Sequence, residues 1–110
     1  MAFKSAIVAM VPGGDPKQHR VSIKMPKAEI TLVVCELHDF EQAVEVCKNL
    51  VQKEGIQGFI LCPGFTHEAV ARIASAVGPG VGVNVARGDP PSGMVTAQIM
   101  AKEGWFPEGH

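Results

Sequence analysis

Two short segments of the sequence combine glycine with residues that can bind an anion or move a proton. They are residues 11–15 (VPGGD) and residues 62–68 (CPGFTHE). Glycine lets backbone N–H groups approach a ligand closely, and a helix that starts beside such a loop adds partial positive charge. We therefore expect a small anionic ligand such as a carboxylate or phosphate. Neither segment matches a dinucleotide fingerprint or a P-loop. The predicted ligand-binding residues in these segments are Gly13, Gly14, Asp15, Gly64, Thr66 and Glu68.

The second segment also carries the two residues most suited to catalysis. Cys62 ends a predicted strand a few residues before a helix start, where the helix dipole favours the thiolate. His67 falls in the first helical turn, where the same dipole disfavours the protonated ring and leaves a neutral imidazole able to act as a base. The alternative interpretations are a small buried strand residue for Cys62 and a surface histidine for His67.

Arg87 is a further candidate ligand-binding residue, because it follows the last predicted strand at the same edge of the sheet. Its guanidinium can hold a carboxylate through two parallel hydrogen bonds. An ion pair of Arg87 with Asp89 or Glu68 is the alternative interpretation.

His38 follows the second predicted strand and completes the set of candidate ligand-binding residues. It could hold a divalent metal if it met His67 and either Cys62 or Glu68. Their spacing matches no recognised ligand pattern, so we predict no metal site. No cofactor is indicated by the sequence.

These groups must be positioned by secondary structure. Strand-like and helix-like segments alternate along the sequence. Capping residues begin the helical segments at Asp15, Asp39 and Thr66, and Gly55 and Gly78 end the second and third. The predicted strands are 4–11, 29–37, 58–62 and 81–86, and the predicted helices are 15–24, 40–54 and 66–77.

This alternation predicts one small α/β domain, Rossmann-like or flavodoxin-like, with a four-stranded parallel sheet and helices on both faces. The order 2-1-3-4 is favoured over 1-2-3-4. In that order the winding reverses between strands one and three, and the loops that follow them open a crevice. The domain spans residues 1–110, with its core in 3–88 and a C-terminal helix and tail in 89–110.

Three features of the apolar pattern bear on how the strands are covered and on association with other chains. The second strand is almost continuously apolar, as in a strand covered on both faces. The fourth strand has only small residues on one face, which either a close-packed neighbour or an edge position would explain. A short helix over 94–102, capped by Ser92, precedes Trp105 and Phe106, which one chain would have difficulty covering. We therefore expect a homodimer.

Composition excludes several classes of protein. A formal net charge of −1 in 110 residues provides no field for binding nucleic acid. The apolar run 6–11 is too short to span a membrane, and no cleavage pattern follows it, so we expect a strand rather than a signal peptide. Three cysteines without C-x-x-C spacing predict free thiols rather than disulfides or a zinc site, which favours a cytoplasmic location.

The segments Asp-Pro-x-x-His-Arg (residues 15–20) and Leu-Cys-x-Gly-Phe (residues 61–65) resemble those of a family of small uncharacterised bacterial proteins. That family is classed as a domain of unknown function. The resemblance covers most of the chain up to Arg87. It implies a compact α/β protein and no established activity.

The function predicted from the sequence is the binding of a small anionic metabolite at the carboxyl edge of the sheet. Acid/base or thiol chemistry on a carbonyl or carboxylate compound would be the reaction, if there is one. The alternative is a non-catalytic ligand-binding or oligomeric assembly module, which the apolar tail and the edge strand would serve.

Overall fold

A computed structural model describes residues 1–106 and contains five strands and three helices within them. The end of the predicted tail, residues 107–110, lies outside the described residues. Along the chain the elements are β1 (Phe3–Val11), β2 (Arg20–Lys24), β3 (Ala28–Glu36), α1 (Phe40–Glu54), β4 (Gly58–Leu61), α2 (His67–Val77), β5 (Gly82–Val85) and α3 (Pro90–Lys102).

The strands form one mixed sheet in the order β2-β3-β1-β4-β5. The pairs β1/β3, β1/β4 and β4/β5 are parallel, whereas β2 runs antiparallel to β3. The order predicted for the four parallel strands is therefore confirmed, with the fourth strand at an edge. The expectation of a purely parallel, four-stranded sheet is wrong, because β2 adds an antiparallel edge.

The predicted helix over 15–24 is wrong. The N–H groups of Gln18 and His19 donate to the carbonyl oxygen of Asp15 at 3.0 and 2.7 Å, and these bonds close a turn that does not continue as a helix. From Arg20 the chain is extended. The apolar side chains Val21 and Ile23 alternate there with polar ones, which is the pattern of a strand.

The caps of the other two predicted helices are confirmed. The Asp39 carboxylate accepts a hydrogen bond from the Gln42 N–H at 3.0 Å, and Gly55 ends α1 with φ of 74°. At α2, the Thr66 hydroxyl accepts a hydrogen bond from the Ala69 N–H at 3.1 Å. Each oxygen satisfies an N–H that the first helical turn leaves unpaired.

α1 and α2 pack against each other and cover one face of the sheet. Alternate residues of the central strands are buried beneath them, and include Ala6, Val8, Met10, Val33, Cys35, Phe59 and Leu61. Within residues 1–106 no helix covers the opposite face, so the expectation of helices on both faces is wrong. The helix expected between the first two parallel strands would have covered it, and β2 takes its place. Leu32 of β3 is consequently 38% exposed, although its strand was predicted to be covered on both faces.

α3 begins earlier than predicted and stands apart from the rest of the described chain. Its N-cap position is Asp89 rather than Ser92, with prolines in the first turn, where their missing N–H groups cost nothing. No residue of α3 is buried, and it makes no substantial contact with another described element. The described molecule is accordingly elongated, measuring 46 × 27 × 27 Å.

We expect Gly14→Ala to destabilise the fold. A Cβ at Gly14 would lie 2.2 Å from the Cys35 carbonyl oxygen, so the backbone of β3 would have to shift. Such overlaps cost about 1–3 kcal/mol or more, which a urea unfolding curve measures directly. Gly80→Ala is the control, because a Cβ there meets nothing within 4 Å. Identical unfolding free energies for the two variants would contradict the close approach.

Candidate functional site

The N–H groups of the first glycine segment already have acceptors within the protein. That of Gly13 donates to Glu36 Oε2 at 2.7 Å, and that of Gly14 donates to the Val11 carbonyl at 2.8 Å. The Asp15 N–H donates to His19 Nδ1 at 2.9 Å. No helix begins at Asp15, so the helix dipole expected there is absent as well. These hydrogen bonds hold a turn together and leave these three amides engaged.

Glu36 is the residue at this edge that sequence reasoning missed. Its Oε2 accepts hydrogen bonds from the N–H groups of Gly13 at 2.7 Å and Leu37 at 3.0 Å. Its own N–H donates to Gln42 Oε1 at 2.8 Å. The chain therefore places its own carboxylate where an anionic ligand was expected. Its position at the end of the second parallel strand, next to the end of the first, was the available signal.

The second glycine segment is arranged differently, because α2 does begin directly after it. Cys62 is half-buried, while Gly64, His67 and Glu68 are exposed. A Cβ at Gly64 would lie 3.3 Å from Met10 Cε, so this segment packs over the end of β1. Within residues 1–106, the N–H groups of Thr66, His67 and Glu68 donate to no protein acceptor. The segment therefore presents uncommitted donors at the positive end of a helix.

The structure brings Arg87 to this second segment. Its Nη1 donates to the Pro63 carbonyl oxygen at 3.1 Å, a contact across 24 residues of sequence. The alternatives of an ion pair with Asp89 or Glu68 are not found in the described part of the chain. The remaining donors of the Arg87 guanidinium are thus available beside the start of α2.

His38 lies at the same edge but on the β3 side. It is exposed and adopts a left-handed backbone conformation with φ of 62°. Its ring centre lies 6.0 Å from that of Phe40, which lies 6.0 Å from that of the buried Phe65. Among the described residues no three His, Cys, Asp or Glu side chains are placed to hold a metal ion, so His38 and His67 do not form the ligand set considered above.

The three cysteines differ in their access to solvent. Burial raises the pKa of Cys47 to about 12. Burial, with a smaller contribution from the Asp39 carboxylate, raises the pKa of Cys35 to about 11. Both remain protonated thiols near neutral pH and are chemically inert there. Cys62 is the cysteine that is partly exposed.

A groove lies on the helix-covered side, between the turn at 15–20 and α1. It measures about 660 Å³, and Arg20 and Glu54 line it and pair through two hydrogen bonds of 2.9 and 2.7 Å. These bonds raise the pKa of the guanidinium and lower the pKa of the carboxylate. A smaller depression of about 350 Å³ adjoins Gly13, Gly14 and His19. The larger groove was not predicted from the sequence, because it forms only when residues 20–24 are a strand rather than the end of a helix.

A family model described as a family of unknown function, DUF6506, matches residues 3–101. The chain belongs to this family. Membership of a family of unknown function, expected from the resemblance, is confirmed. Comparisons with curated proteins and with solved structures gave no match. None of the helices within residues 1–106 is long and apolar enough to cross a bilayer.

We expect one thiol of this DUF6506 protein to react rapidly with DTNB at about pH 8, because the other two stay protonated through burial. All three should react after unfolding in guanidinium. Cys62→Ser should abolish the rapid reaction and leave the slow ones unchanged. Persistence of the rapid reaction in that variant would show that a cysteine assigned to the core is accessible.

Proposed function

We propose that the protein binds a small anionic molecule at the carboxyl edge of its sheet, where α2 begins. The observation that carries this proposal is the hydrogen bond from Arg87 to the Pro63 carbonyl, because it holds a guanidinium against the loop that leads into that helix. Carboxylates and phosphates are the ligands that such a pair of positive groups recognises.

Two sources of positive potential support this position. The start of an α-helix carries roughly half an elementary charge, and α2 has 11 residues over which its peptide dipoles align. The N–H groups of Thr66, His67 and Glu68 would point donors at the ligand. The Arg87 guanidinium would add two parallel hydrogen bonds to the same ligand. Gly64 keeps the approach open, since no side chain projects from it.

The first segment would shape the rim of the site. Gly13, Gly14 and Asp15 would contribute backbone surface, because their N–H groups are engaged by protein acceptors. His38 would close the β3 side. The exposed Glu68 carboxylate would accept a hydrogen bond from a hydroxyl group on the ligand, which favours hydroxylated carboxylates or sugar phosphates.

In a catalytic form of this proposal, Cys62 or His67 would move a proton at a carbon next to a carbonyl group. The amides near Thr66 would receive the negative charge that develops on the carbonyl oxygen, and Arg87 would orient the carboxylate. We place this chemistry in the cytoplasm, and the three free thiols support a reducing compartment.

We expect phosphate and small hydroxycarboxylates to shift the NMR amide resonances of residues 62–68. Arg87→Gln should weaken that binding roughly tenfold or more, since a hydrogen bond to a charged group is lost. Lys53→Gln is the matched control, because it removes the same charge from the last turn of α1, at the opposite edge of the sheet. Equal binding by both variants, or shifts confined to other residues, would contradict the proposed site.

Proton transfer is tested with the compounds that bind. In heavy water, the wild-type protein should replace the hydrogen on the ligand carbon next to the carbonyl group with deuterium. Cys62→Ser or His67→Ala should slow this exchange by about 100-fold or more. Binding should survive in both variants, because the amides and Arg87 remain. Absence of exchange in the wild type would reject the catalytic form and support a binding module.

A further inference from the structure

The face of the sheet that α1 and α2 leave uncovered carries a continuous row of apolar side chains. The strand register pairs Val21 with Leu32, Leu32 with Ile7, and Ile7 with Ile60. Alternation along each strand directs all four to this face. Their exposed fractions are 55%, 38%, 37% and 44% respectively. The row therefore crosses four adjacent strands without a polar interruption.

Further residues extend this uncovered face on either side of the row. Ile23 of β2 is 59% exposed and Phe3 of β1 is 56% exposed. The Phe3 ring lies against Gly58 of the next strand, 3.2 Å from where a Cβ would be. The charged side chains Lys4 and Arg20 alternate onto the other face, where they contact Glu54 of α1. The uncovered face thus has the composition of a buried surface.

α3 is the complementary unpartnered element. Its 13 residues include a single charged one, Lys102. Met94, Val95 and Ile99 are 67%, 57% and 55% exposed. A helix this apolar is normally buried. Because α3 makes no substantial contact with the sheet within residues 1–106, a second chain could cover it.

We infer that two copies of the chain associate by exchange, with α3 of each copy lying on the uncovered sheet face of the other. The dimensions match. A 13-residue helix is about 20 Å long, and four strands are about 19 Å wide. Covering the exposed apolar side chains of both faces and both helices would bury on the order of 1,700 Å², within the roughly 1,200–2,000 Å² of stable interfaces.

A second copy fits better than an unrelated protein because each chain supplies one apolar face and one apolar helix. A two-fold axis satisfies both in a single closed assembly. The connection from β5 to α3 is short, and Arg87 within it is fixed to Pro63. A short connection with one anchored residue limits how far α3 can fold back onto its own sheet. The inference does not depend on the anion site.

The first test is the molar mass of the full chain by light scattering after gel filtration. The wild type should be a dimer. Ile99→Lys on α3 and Leu32→Glu on the uncovered face should each give a monomer, with far-UV circular dichroism confirming that the variants fold. Gln52→Lys, at an exposed position of α1, is the control and should stay dimeric. A monomeric wild type would overturn the inference.

The second test fixes the geometry of exchange without disturbing the interface charge. Two differently tagged chains are co-expressed in a Cys62→Ser background, one with Leu32→Cys and the other with Ile99→Cys. A disulfide should join the two tags, and neither chain alone should form it. Absence of that disulfide in a dimer would overturn the exchange. A disulfide within one chain carrying both substitutions, at monomer mass, would overturn it too.

Discussion

Hydrogen bonds between Asp15 and His19 set the direction of the chain after β1. The Asp15 N–H donates to His19 Nδ1, and the His19 N–H returns to the Asp15 carbonyl. The His19 carbonyl in turn accepts from Val34 of β3, at 2.9 Å. This turn delivers the chain into β2 alongside β3, where a doubly wound fold would place a crossover helix. The uncovered sheet face and the engaged amide of Asp15 both follow from it.

The carboxyl edge of the sheet consequently has two parts with different electrostatics. At the end of β1, the Glu36 carboxylate accepts hydrogen bonds from two backbone N–H groups and satisfies them internally. At the end of β4, the start of α2 and Arg87 add positive potential, and the exposed Glu68 carboxylate lies in the first turn of the same helix without an ion pair in the described residues. The proposed anion site is therefore assigned to the second part of the edge rather than to the first.

Much of this architecture is encoded locally and could be predicted. Asp39 and Thr66 cap their helices with their own side chains. Crossover rules leave two orders for the parallel strands, and the structure has the favoured one. Residues 15–24 carry two competing signals, an Asp-Pro helix start and the alternation of Val21 with Ile23. The prediction follows the cap pattern alone. In the structure, pairing with β3 and the turn at Asp15 make residues 20–24 a strand.

The parts of the site that could not be predicted depend on contacts between distant residues. Glu36 meets Gly13 across 23 positions, and Arg20 meets Glu54 across 34. Neither pair has a characteristic spacing in the sequence, because the sheet and α1 must form before the partners meet. Arg87 could be placed at the correct edge from strand order alone, but its hydrogen bond to Pro63 required the folded loops.

The outer strands of the sheet bear on how far association of these chains would extend. β2 has five residues, with the charged Arg20 and Lys24 at its ends, and β5 has only four. Short outer strands with charged side chains are poor templates for adding another chain edge to edge, which would build an open filament. Growth at the margins of the sheet is thereby disfavoured, whereas joining through the sheet face stops once two molecules have met. The short outer strands would therefore keep the assembly finite.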